Sequence, residues 1–143
     1  MKKRILSFLI FCLFLGAGIT KAQDLVVVAN KSVKATDASA SDIRDVYTGD
    51  KSSLKDGSHV TPVTLKGGAV HEAFLKKYVG KDESAFRAGW RSLVFTGQGS
   101  MPRSFDTEAD LLEYVAATPG TIGYVSPGAN ATAKDGVKVL AVK

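Results

Sequence analysis

Lys66-Gly67-Gly68-Ala69-Val70 is the stretch of this chain best suited to hold a ligand. It stands between an apolar run, Val60 to Leu65, and an amphipathic pattern that places Val70, Phe74, Leu75 and Tyr78 or Val79 on one face. A strand, two glycines and a helix in that order leave the first helical amides without side-chain cover. Those amides have no partner inside the helix, and the helix dipole adds partial positive charge to them. A small oxyanion suits such a corner, with Lys66 as a cationic neighbour. The same glycine pair also serves as a compact turn that binds nothing. Thr96 to Arg103, with Gly97 and Gly99, is a second glycine-rich loop, too long and too polar for a simple connector. The expected ligand-binding set is Lys66, Gly67, Gly68, Ala69, Val70, Thr96 and Gly97.

Other chemistries find little support. His59 and His71 are the only histidines and lie 12 residues apart, a spacing that fits no common metal site in the absence of nearby cysteine. His71, at the start of a helix, is expected as a solvated first-turn residue, with donation to an oxyanion as its alternative role. No nucleophile stands at a suggestive spacing from a base, so no catalytic residue is named and enzyme is the weakest class. Gly97 and Gly99 lack a third glycine and follow a helix, which excludes a dinucleotide fingerprint. Lys76-Lys77 and the Lys51/Lys55 pair have no interleaved aromatics and read as solvated faces, so nucleic acid is not an expected partner. No cofactor and no metal is expected.

The totals bound the rest. Lys2-Lys3-Arg4, the apolar run Ile5 to Phe14 and Thr20-Lys21-Ala22 have the order of an export signal, residues 1–22, leaving a domain over 23–143. A retained anchor is disfavoured, because the apolar run ends near Ile19 and is marginal for a bilayer. The leader carries four of the 19 positive charges and none of the 14 negative ones, so the remainder holds 15 against 14, a net charge of +1. The sequence pI of 9.4 is mostly a property of the leader, not a nucleic-acid signature. Cys12, the single cysteine, leaves with it, which excludes disulfides and thiol chemistry. About 121 residues remain, enough for one domain with a real core and an address that is periplasmic or secreted.

The elements that must position the corner can be read in order. Asp24 to Asn30 is a β-branched run of the kind buried on both faces of a sheet. Ser41 to Tyr47 is a short helix capped by Ser39 or Ser41, with Ile43, Val46 and Tyr47 inward and a stop at Thr48-Gly49. Asp50 to Ser58 is a surface loop turning at Asp56-Gly57. Asp82 to Phe95 is a helix whose stripe Phe86, Trp90, Leu93 and Val94 reads as core. Asp106 or Thr107 caps a helix through Leu111, Leu112, Tyr114 and Val115, ended by Thr118-Pro119-Gly120. Thr121 to Val125 and Val137 to Val142 are strands around a loop from Gly128 to Gly136. Strands alternating with helices imply an α/β layer fold with a mostly parallel sheet. Ligands in such sheets sit at the carboxyl ends of strands, where Asn30-Ser32 and Ser126 are expected as further neighbours.

Three stretches, in order, resemble the substrate-binding proteins of phosphate ABC transporters. They are Asp42 to Lys51, with its aromatic-x-Gly-x-Lys ending; Thr61-Pro62-Val63-Thr64 with Gly67-Gly68 and Phe74; and Pro119-Gly120-Thr121-Ile122-Gly123-Tyr124-Val125. Trp90 and Phe95-Thr96-Gly97-Gln98-Gly99 stand where that family has a Trp followed by a glycine-rich segment. The resemblance implies a short, single-lobe relative of the type 2 periplasmic-binding-protein fold, with helices on both faces of the sheet. It also implies a phosphate-like ligand and a membrane transporter as partner; a sensor protein is the alternative, for a lobe that serves as an interaction module. Thr64 falls near the position of the family's binding arginine, and Gly68 and Ala69 fall where Ser and Gly or Pro would be. Each charge-assisted bond lost is worth roughly 1.5–3 kcal/mol, so weak oxyanion binding is the expectation.

Overall fold

The computed structural model describes residues 25–143; the proposed export signal lies outside the described residues. Val26–Asn30 forms β1, and its β-branched side chains are buried on both sides, as expected for an interior strand. Asp37–Ala38 is a two-residue strand, β2. Ala40–Thr48 forms α1, and the choice of cap resolves to Ser39. The Ser39 side chain accepts from the Asp42 amide while Asp42 accepts from the Ser39 amide, a reciprocal capping box. The helix stops at Gly49, whose φ of 80° lies in the left-handed region and whose missing side chain would run into Leu93.

Thr61–Leu65 forms β3, Ala69–Phe74 forms α2, and a π-helical turn over Leu75–Val79 continues it to Gly80. Glu83–Phe95 forms α3, capped by Asp82, and Arg103–Phe105 forms β4. Glu108–Ala117 forms α4, with Thr107 as the cap that accepts from the Asp110 amide. Thr121–Val125 and Val137–Val142 are β5 and β6, separated by two short 3-10 turns.

The six strands make one sheet in the order β2-β6-β1-β5-β3-β4. It is mostly parallel, with three parallel pairings, β2–β6, β3–β4 and β3–β5. The central strand β1 is antiparallel to both of its neighbours. Helices cover both faces. Gly123 of β5 points at Leu111 of α4, and the adjacent Tyr124 therefore points to the other face, against Phe74 of α2 and Tyr47 of α1. Among the described residues no helix is long and apolar enough to cross a membrane.

Three aromatic rings fill the space under α1 and α2. Phe74 stacks on Tyr124 with centroids 3.8 Å apart and an interplanar angle of 6°. Tyr47 meets Phe74 edge-on at 4.7 Å. The two hydroxyls also repair the sheet. β3 and β5 pair only at Thr61–Thr121 and Pro62–Ile122. Beyond that point the Tyr47 hydroxyl donates to the carbonyls of Val63 and Ile122, at 3.0 and 3.2 Å. The Leu65 amide in turn donates to the Tyr124 hydroxyl at 3.1 Å. Side chains thus satisfy backbone groups that the splayed ladder leaves open.

Two expectations about apolar residues need correction. Phe86 and Trp90 are buried, and the Trp90 indole donates to the Tyr47 carbonyl at 2.8 Å, but Leu93 is only partly buried and Val94 is 46% exposed. Past Trp90, α3 has little left to pack on, and Phe95 is 92% exposed.

Candidate functional site

β3 ends at Leu65, and the Lys66 amide still donates to the Phe105 carbonyl of β4 at 2.9 Å. After Lys66 the ladder is over. Among the described residues, the amides of Gly67, Gly68, Ala69 and Val70 donate to no protein acceptor; the first α2 bond is from the Glu72 amide to the Gly68 carbonyl, at 3.0 Å. Gly68 takes φ 92° and ψ 173°, a conformation that a side chain resists, and it turns the chain from strand to helix. A methyl group built on Gly67 or Gly68 would meet nothing within 4 Å, so this corner is open. Lys66 beside it is exposed and pairs with Asp106 at 3.3 Å.

His71, in the first turn of α2, is not solvated: it is 1% exposed. Its ring lies over Tyr124 with centroids 6.0 Å apart and meets Phe86 edge-on at 6.3 Å. Nδ1 bonds the Tyr124 hydroxyl and Nε2 bonds Glu83. One tautomer satisfies every member: Tyr124 donates to Nδ1 while its oxygen accepts from the Leu65 amide, and Nε2–H donates to the Glu83 carboxylate. Glu83 also accepts from Arg87 Nε at 2.6 Å. Partial burial pulls the Glu83 carboxyl up, but the bonds from His71 and Arg87 outweigh it and leave the group below its ordinary range. For Tyr124, burial dominates and pushes the phenol well above its usual value. The signal for the burial of His71 was present in the sequence, since His71, Phe74 and Leu75 stand at i, i+3 and i+4.

A cavity of about 250 Å³ opens beside the corner, between α3 and the β3–β4 edge. Its walls include Thr64 and Lys66 of the sheet end, His71, and Glu83, Arg87 and Arg91 of α3. Lys66 and His71 flank residues 67–70, so the corner sits at the rim of this cavity. Sequence reasoning missed Thr64, Arg87 and Arg91 as candidates; the two arginines at i, i+4 on α3 were the available signal.

Thr96 and Gly97 do not join this group. α3 starts at Glu83, against His71, and its 13 residues carry Thr96 about 20 Å along the axis to the far end. Asn30 and Ser32 are also remote, because β1 runs antiparallel to β5 and ends beside the start of that strand. There the Asn30 side chain donates to the Val115 and Ala116 carbonyls of α4, and the Ser32 hydroxyl accepts from the Gly120 amide. Ser126 leaves the near end of β5 but bonds Glu108 at the start of α4 on the other face. Among the described residues no group of three His, Cys, Asp or Glu side chains is arranged to hold a metal.

No protein-family model matches the chain, and no curated protein is similar to it at a significant level. Solved structures do match. PstS from Borrelia burgdorferi is 14% identical with a TM-score of 0.64, over 83% of this chain and 47% of that one. A phosphate ABC transporter substrate-binding protein from Clostridium perfringens, solved with bound phosphate, is 18% identical with a TM-score of 0.61, over 82% and 44%. An ABC-type phosphate transport receptor from Vibrio cholerae is 13% identical with a TM-score of 0.53, over 82% and 45%. This chain therefore spans about half the length of the proteins it resembles and has the fold of one lobe of such a substrate-binding protein.

Proposed function

We propose that this single lobe is an exported, non-enzymatic binding module that takes a small oxyanion such as phosphate weakly, for a membrane transporter. One observation carries the reading: four consecutive amides, Gly67 to Val70, have no partner among the described residues at the carboxyl end of β3, and the space around Gly67 and Gly68 is open. Lys66 adds a cation, and the leader-like residues 1–22 supply the argument for export. Backbone donors without an arginine fork in the loop imply a dissociation constant on the order of 1 mM, or about −4 kcal/mol. Titration calorimetry with inorganic phosphate and sulfate tests this. Gly67→Glu is the informative variant: Gly67 has ordinary φ and free space around it, so the added carboxylate repels the anion without straining the fold. The expected result is saturable heat near millimolar phosphate that falls about tenfold or more in Gly67→Glu. Absence of heat at 10 mM phosphate, on the order of −3 kcal/mol, contradicts the reading.

A second reading, a protein-interaction or sensor-input module, is favoured by Phe95, which is 92% exposed at the end of α3 near the half-exposed Val94. Light scattering on the eluting protein separates the two. A strict monomer that also fails to capture a partner counts against it.

A further inference from the structure

The cavity beside α3 carries features that the open corner does not use. Thr64 is 5% exposed as a residue and lines this cavity; its hydroxyl makes no protein hydrogen bond, and since every fully buried side-chain nitrogen and oxygen among the described residues is bonded, that hydroxyl is reachable by solvent. The hydroxyls of the buried Tyr47, Tyr124 and Thr121 are all bonded. A solvent-reachable hydroxyl on the wall of a cavity, with no protein partner to give up, is free to bond a ligand atom.

The charges point the same way. Arg87 and Arg91 lie one helical turn apart on the α3 wall. Arg87 is held through Nε by Glu83 while its side chain stays about half exposed, and Arg91 has no ion-pair partner among the described residues. Lys66 stands on the sheet wall, its pair with Asp106 at 3.3 Å being an exposed surface pair that a ligand anion can compete with. Glu83, the one carboxylate of the lining, has its two oxygens engaged by Arg87 and His71. Cations on two walls, with apolar surface from Phe86 and Met101 beside them, suit a ligand with two anionic groups and a carbon body. A volume of about 250 Å³ holds several waters at about 30 Å³ each, more than a five-atom oxyanion fills.

We propose that this cavity binds a small organic dianion, a short dicarboxylate or a phosphate ester. One anionic group sits at Arg87 and Arg91 with the Thr64 hydroxyl as a donor, and the other is directed to Lys66. The pocket shares Lys66 with the corner but stands without it, since Thr64, Arg87 and Arg91 take no part in the corner.

Titration calorimetry with succinate and with glycerol 3-phosphate, against inorganic phosphate and glycerol, tests the proposal. Wild-type protein is expected to bind at least one of the two dianions more tightly than inorganic phosphate. Arg91→Ala is expected to weaken that dianion about ten- to a hundredfold while leaving the heat of inorganic phosphate at the corner unchanged. Thr64→Val removes a hydroxyl without a protein partner, so it is expected to weaken the dianion while the thermal midpoint holds or rises; a purely structural Thr64 would lower the midpoint instead. Failure of both dianions to saturate by about 10 mM, or undiminished dianion binding in Arg91→Ala, overturns the proposal. Absence of phosphate heat in the wild type bears on the corner alone.

Discussion

Above about pH 10 the folded domain is expected to lose stability by about 2.7 kcal/mol per pH unit, because two buried tyrosines ionise on unfolding and resist ionising in place. Tyr47 and Tyr124 are both 0% exposed. Burial raises the Tyr47 phenol well above its usual value, and the neighbouring Tyr124 adds to the effect. Burial likewise raises Tyr124; the bond from the Leu65 amide opposes it in part, and the Glu83 charge reinforces it. The folded pKa therefore lies above the unfolded value of about 10, so the stabilisation is complete below pH 10 and is lost as pH rises toward the folded values. Each tyrosine contributes about 1.4 kcal/mol per unit, and a domain with the usual 5–15 kcal/mol loses about 5 by pH 12. Urea unfolding at a series of pH values measures it. Tyr47→Phe is expected to cost about 1–3 kcal/mol at neutral pH, by orphaning the Val63 and Ile122 carbonyls, and to halve the alkaline slope. An unchanged slope contradicts this account of the seam between β3 and β5.

Phe74→Ala is expected to be the most damaging single truncation. The ring is 0% exposed, stacks on Tyr124 at 3.8 Å and meets Tyr47 at 4.7 Å. Its removal opens a cavity and loosens both tyrosines whose hydroxyls hold the splayed strands. The expected loss is about 3–5 kcal/mol, or about 10–25 °C in the thermal midpoint. Phe95→Ala is the control: at 92% exposure it is expected to change stability by less than about 0.5 kcal/mol. Scanning calorimetry of the two variants decides between a core built on these three rings and one spread evenly under the helices.

Local signals carried well into the structure. The β-branched run of β1, the cap positions that resolve to Ser39 out of Ser39 or Ser41 and to Thr107 out of Asp106 or Thr107, and the stop at Gly49 all depend on neighbouring residues and were legible, whereas Asp82, read as the first helical residue, is the cap of α3. What failed to show was non-local. β2 and β4, of two and three residues, are too short to carry a period and exist through their pairing with β6 and β3. The antiparallel sense of β1 is set by its partners, not by its composition, and that sense takes Asn30 and Ser32 away from the Gly67–Gly68 end.

The candidate site divides along the same line. The strand-turn-helix geometry of Lys66 to Val70 was legible, because a glycine pair between strand and helix is a contiguous pattern. Thr64, Arg87 and Arg91 come together only when α3 packs across the sheet edge, and a helical Arg pair at i, i+4 ordinarily faces solvent. His71 was misplaced because a histidine in a first helical turn is usually solvated; Tyr124 and Glu83, far off in sequence, supply the bonds that make its burial tolerable.

The free amides of residues 67–70 can be watched directly. In a titration of uniformly ¹⁵N-labelled protein with inorganic phosphate, the backbone amide resonances of Gly67, Gly68, Ala69 and Val70 are expected to shift furthest and to saturate together near millimolar concentration, with those of Thr96 and Gly97 unmoved. Shifts scattered over surface lysines, or none at these four amides by 10 mM phosphate, on the order of −3 kcal/mol, would contradict the claim that this corner binds an oxyanion.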